Sequence, residues 1–149
     1  MATYYPPVSF HFKVEFQGLD KEDLDVRFQS VSGLTVDIQT ESVKGGGEHR
    51  FEYVLPLRTK YNNLVLKRGV VTNSKLIDWC RDAFDSLIIY PKDVLIKLLD
   101  KDHEPIMTWN VVQAWPKKWS VSDLNAKGSE VLIETLELQY QYFTTETTS

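Results

Sequence analysis

The chain has 149 residues, of which 42% are hydrophobic, and carries a formal net charge of −4. A domain of this size buries about 68–70% of its unfolded surface and needs no staple to fold. Its single cysteine, Cys80, excludes an internal disulfide and fits folding in a reducing cytoplasm. The acidic balance gives no general attraction for nucleic acid or anionic membrane. Neither a signal peptide nor a membrane-spanning apolar run is read from the sequence.

Val8, Phe10, Phe12, Val14 and Phe16 alternate with Ser9, His11, Lys13 and Glu15, which predicts a strand with one buried face. The acidic segment Gly18 to Asp23 then predicts a turn, followed by a strand from Asp25 towards Val31 and a bend or bulge at Gly33. Leu34, Val36 and Ile38 alternate with Thr35, Asp37 and Gln39, so a third strand should lead through Glu41 into Gly45-Gly46-Gly47, a mobile connection. Its apolar parity is expected to face the core and its polar parity to face away from it. Phe51 to Leu55 and Leu64 to Lys67 read as further strands separated by Pro56, with antiparallel pairing across the long loop.

One helix is expected from Thr72-Asn73-Ser74, which supply capping residues ahead of Leu76, Trp79, Cys80, Ala83, Phe84 and Leu87 at spacings of three and four. Pro91 bars its extension. Val94 to Leu99 predicts a strand, Asp100 to Pro105 a hairpin loop, and Ile106 to about Trp115 a returning strand apolar at both parities and hence covered on both faces. In the last strand the apolar parity changes between Val131-Ile133 and Leu136-Leu138-Tyr140-Tyr142, predicting a bulge near Glu134-Thr135. With no repeat or linker, residues 1–149 read as a single domain, with 144–149 a disordered tail.

The sequence carries no recognisable reaction centre. His11, His49 and His103 lack metal-ligand spacing, and one cysteine cannot build a zinc site, so no metal is expected. Asp100, Asp102 and Glu104 imitate the opening of a calcium loop, but Pro105 takes the glycine position and Val111 the terminal glutamate position. The glycine tract lacks the Lys-Ser or Lys-Thr ending of a phosphate loop, no Gly-x-Ser-x-Gly occurs, and nothing pairs a base with Cys80. Of the four tryptophans, Trp79 and Trp109 belong to core faces. Trp115 and Trp119, beside Lys117 and Lys118, remain as a surface that could stack on a carbohydrate or a base.

Several motifs stand in fixed order: Val31-Ser32-Gly33-Leu34, Leu55-Pro56, Leu66-Lys67-Arg68-Gly69, Trp79, Trp109, and Ala114-x-Pro116-x-Lys118-Trp119 followed by Glu130-Val131-x-Ile133-Glu134-x-Leu136-Glu137-Leu138. In these the chain resembles, from about Phe10 to Tyr142, the inner tube proteins of contractile phage tails and phage-tail-like contractile injection systems.

That resemblance implies a mainly β fold with one α-helix, in which two packed antiparallel sheets form a small barrel. It implies a structural subunit rather than an enzyme, with no cofactor. Six subunits would form a ring, and rings would stack into a hollow tube that a contracting sheath drives through a target envelope with DNA or an effector in its lumen. Expected partners are further copies of the chain, a sheath protein, baseplate tube initiators and a terminator or cap. Assembly would take place in the bacterial cytoplasm, with possible extracellular release of the particle. By position in the family, Val43, Lys44, Gly45, Gly46, Gly47, Glu48 and His49 would meet the neighbouring ring, flanked by Glu41 and Arg50, with Lys67, Arg68, Lys117 and Glu134 as further subunit contacts. The alternatives are a baseplate initiator of the same fold, a secreted type VI ring protein, and a monomeric carbohydrate-binding β-barrel module.

Overall fold

The computed structural model describes residues 11–19, 27–47, 50–71, 74–128 and 131–147. Its strands are β1 (His11–Phe16), β2 (Ser30–Ser32), β3 (Val36–Val43), β4 (Tyr53–Tyr61), β5 (Leu64–Gly69), β6 (Lys92–Leu99), β7 (Pro105–Val121), β8 (Ile133–Gln139) and β9 (Tyr142–Thr147). Among the described residues one helix, α1 (Lys75–Ser86), lies between β5 and β6. All strand pairs are antiparallel.

Among the described residues seven strands form one sheet in the order β1-β6-β7-β8-β5-β2, with β9 also on β7, while β3 and β4 pair only with each other. The first part of β7 pairs with β6 and β9, and its last part with β8. The changeover falls at Gln113, whose φ of 55° turns the strand, and whose N–H donates to the Asp93 carboxylate at 3.0 Å. The opposing strand breaks at the same level, between β8 and β9, where the Gln141 N–H donates to the Val112 carbonyl at 3.0 Å. The face change expected near Glu134-Thr135 therefore lies at Tyr140-Gln141, because the corner is set by β7 and not by the parity of β8 alone. Among the described residues the sheet path is open between β1 and β2, so the expected small barrel is not closed there.

The core forms between the two halves of this bent sheet. Val14, Phe16, Val94, Ile96 and Val111 come from one half, and Leu64, Leu66, Leu136 and Leu138 from the other. Alternation in β1, β5, β6 and β8 drives these residues inward. The helix closes the cluster through Leu76, Trp79 and Cys80. Ser74 caps it by accepting the Ile77 N–H at 3.1 Å, and Leu87 ends it in the left-handed conformation at φ 53°. The helix thus stops before Pro91 can act. Phe84 and Leu87, expected on the buried face, are 42% and 82% exposed. Trp79 donates its indole N–H to the Tyr90 carbonyl at 2.7 Å, pinning the segment after the helix.

Gly33 is a position that only glycine fits. Its φ is +93°, and an added Cβ would lie 2.0 Å from the Asn63 carbonyl oxygen. Pro56, read as a strand separator, instead lies within β4 beside the register shift against β3, on a strand with one paired side. Thr144 to Thr147, expected as tail, continue β9.

Candidate assembly surface

Charge and polar groups inside the subunit are arranged to hold strands together. The core-facing row of β5 runs Leu64, Leu66, Arg68, opposite Leu138, Leu136 and Glu134 on β8. Arg68 and Glu134 are only 3% and 4% exposed, and the Arg68 Nε–H donates to Glu134 Oε1. Arg68 Nη2 also donates to the Ser74 hydroxyl at 3.2 Å, and the guanidinium lies 5.2 Å from the centre of the Phe28 ring. Two residues expected between subunits therefore pair with each other inside this one, joining β5, β8 and the helix cap. Glu134 Oε2 is buried without a hydrogen-bond partner.

A second network lies on β1 and β6. Glu15 Oε1 and Oε2 each sit 3.3 Å from an ammonium, those of Lys13 and Lys97 respectively. Burial by itself pushes the Glu15 carboxyl up, but the hydrogen bonds and positive charges of Lys97 and Lys13 outweigh it and leave it below its ordinary range.

The arm formed by β3 and β4 is exposed along almost its whole length. Its base is fixed: the Asn62 N–H donates to the Thr35 carbonyl at 3.2 Å, and the Tyr61 ring packs against Tyr140 and Phe143 at centroid distances of 5.9 and 5.0 Å. Beyond the base, alternation and register put Val36, Ile38 and Val54 on one face and Val43, Tyr53 and Leu55 on the other. All six are exposed, Ile38 by 61%. The apolar parity of β3 thus faces away from the core, contrary to its expected burial. A ribbon with exposed apolar side chains on both faces finds no cover for them among the described residues.

The glycine tract lies at the tip of this arm. Gly45 approaches the Tyr53 ring so closely that an added Cβ would stand 2.8 Å from it. Glu41, Val43, Lys44, Gly46, Gly47 and Arg50 are exposed at or beside the tip, while Glu48 and His49 lie outside the described residues. Lys67 and Lys117 are exposed on β5 and β7, far in sequence from the tip.

Two further apolar areas were not anticipated. Leu87, Ile88, Ile89 and Tyr90 are exposed after the helix. Leu124 and Val131 are exposed along the connection from β7 to β8, beside an open depression of about 590 Å³. A helical periodicity promised burial for Leu87, and the others lacked a neighbouring pattern to mark them as uncovered.

Trp115 is partly buried, and Trp119 is 43% exposed, lining a cleft of about 230 Å³ with Ile77, Cys80 and Phe84 of the helix. No group of three or more His, Cys, Asp or Glu side chains converges among the described residues. His11 and His103, without useful sequence spacing, nevertheless meet at a sheet end.

A chain in the cryo-EM structure of the anti-feeding prophage baseplate is 29% identical, with a TM-score of 0.83 over 99% of this chain and 98% of that one. A chain in the sheath–tube complex of an extracellular contractile injection system in its extended state is 23% identical, with a TM-score of 0.81 over 97% and 94% of the two chains. Hcp1 from Salmonella typhimurium shares the fold more distantly, at 15% identity and a TM-score of 0.59 over 94% and 87%. No curated protein sequence matches. These likenesses define the fold as that of the tube proteins of contractile machines. Residues 8–144 match the T4-like virus tail tube protein gp19 family, and the chain belongs to that family.

Proposed function

We propose that the chain is the repeating subunit of the inner tube of a contractile injection system or phage tail. Six copies form a ring, rings stack into a rigid hollow tube, and a contracting sheath drives the tube through a target envelope with an effector or DNA in its lumen. No turnover or cofactor is required of the subunit, whose task is to hold its shape under load.

The observation that carries this reading is the arm of β3 and β4, exposed and apolar on both faces. Placed between copies of the chain, it would remove both faces from water at about 25 cal/mol per Å² of apolar surface. Backbone pairing gives a second means of assembly. Among the described residues, β1 and β2 end the seven-stranded path with one side unpaired, and such edges recruit other chains. Stacking contacts are assigned to the arm tip, from Glu41 through Gly47 and on to Arg50, with Glu48 and His49 in the same loop. Lys67 and Lys117 are candidates for lateral contact. The likeness to a chain of a baseplate structure supports a second reading, in which the protein forms one initiating ring.

Negative-stain electron microscopy over a concentration series tests these readings. Hollow tubes are the expected result, and isolated rings that never stack would favour the initiator. Uniform monomers at every concentration would overturn both. The carbohydrate module would then be examined by tryptophan quenching with glycans, using Trp119→Ala as the control.

A further inference from the structure

His11 opens β1, and His103 occupies the turn between β6 and β7. Their imidazoles meet edge to face with centroids 4.4 Å apart, and Nε2 of His11 lies 2.6 Å from Nδ1 of His103. Both are held in place by backbone structure. His11 is registered opposite Leu99, the last residue of β6. The turn is tied by Asp100, whose carbonyl accepts the His103 N–H at 3.0 Å, and whose carboxylate accepts the N–H groups of Asp102 and Glu104 at 2.8 and 3.0 Å. His103 itself has φ 64°, a left-handed conformation that fixes the turn's shape.

From this geometry we infer that His11 and His103 form a two-imidazole site for a divalent transition metal of the copper, nickel or zinc type. Imidazole nitrogen suits these ions, and either ring nitrogen can serve as the donor. Metal–nitrogen bonds of about 2.0–2.1 Å put two ligands of a tetrahedral ion roughly 3.3 Å apart, so the rings need open by only about 0.7 Å from the observed 2.6 Å. Exposed side chains on a sheet end can do this by rotation, without moving the core.

In the metal-free pair one N–H points at the facing nitrogen. On binding, that proton passes through water to the other nitrogen of the same ring, so both rings stay neutral and both lone pairs face the ion. No other cluster of ligating side chains joins them among the described residues, which leaves the remaining positions to water. The turn itself carries Asp100, Asp102 and Glu104 against Lys101, a local negative balance that favours a cation. The site lies within one chain and stands independently of the tube reading.

The test is calorimetric titration of the tag-free chain with nickel, copper and zinc chlorides in a non-chelating buffer, with circular dichroism to verify each variant's fold. The expected result is one ion per chain, with copper tightest, and an affinity loss of at least tenfold in both H11Q and H103Q but not in H49Q. As a check free of substitution, substoichiometric copper should broaden the imidazole proton resonances of His11 and His103 together. Absence of binding, binding that survives both H11Q and H103Q, or broadening at His49 alone would overturn the site.

Discussion

Glu134→Ala should be among the most damaging single substitutions in the subunit. It takes the Glu134 carboxylate away from the Arg68 guanidinium, which is 3% exposed. The guanidinium also meets the Ser74 hydroxyl and the Phe28 ring. Removing one member of a buried pair destabilises by about 3–5 kcal/mol, chiefly through the charge left behind. Against a total stability of roughly 5–15 kcal/mol, that is a large part of the margin. It corresponds to a fall in Tm of about 6–20 °C at this chain length. Replacing both partners, as Arg68→Met with Glu134→Leu, should instead be neutral or stabilising by about 1–4 kcal/mol, because it extends the Leu64–Leu138 and Leu66–Leu136 rows and removes the unpartnered Oε2. Urea unfolding under monomeric conditions measures the two single variants and the double variant as a cycle. A loss below about 1 kcal/mol for Glu134→Ala with an unchanged m-value, or a double variant as unstable as the singles, would refute the reasoning.

Ile38→Glu on the exposed face of β3 should change subunit stability by less than about 0.5 kcal/mol, yet abolish higher assembly; light scattering and microscopy of the same sample measure this. Gly33→Ala forces a side chain into the Asn63 carbonyl at a positive φ and should destabilise by about 2 kcal/mol or more, read from thermal unfolding. Tyr140 lies partly buried with its hydroxyl unpartnered, and burial followed by the neighbouring Tyr61 pushes its pKa up to about 12. Between the ordinary value of 10.0 and about 12 the unfolded chain loses this proton while the folded chain keeps it, so stability falls as pH rises through that window. Tyr140→Phe should retain more of its Tm between pH 9 and 11 than the unsubstituted chain. For Glu15 the sign is opposite: its lowered pKa gives a stabilising contribution that is present above the ordinary carboxylate range and lost on acidification, so Glu15→Gln should show a shallower fall of Tm below about pH 4.5.

Local sequence was sufficient for much of the fold. Period-two alternation in β1 and β6, a serine ahead of an apolar helical face, and a charged turn between two apolar runs each express interactions among near neighbours, and the corresponding elements form. The ordered motifs likewise pointed to the tail-tube family, which the match over residues 8–144 bears out. Three matters were decided only in three dimensions. Val36 and Ile38 alternate just as core residues do, but burial depends on a facing layer, and the arm has none among the described residues. Arg68 and Glu134 look like surface charges in any window of sequence. They enter the core because strand register sets them opposite each other, 66 residues apart, where each neutralises the other's charge. His11 and His103, 92 residues apart, meet because β1 begins beside the β6–β7 turn. Sequence periodicity reports which face of a segment is apolar; only tertiary structure supplies what that face meets.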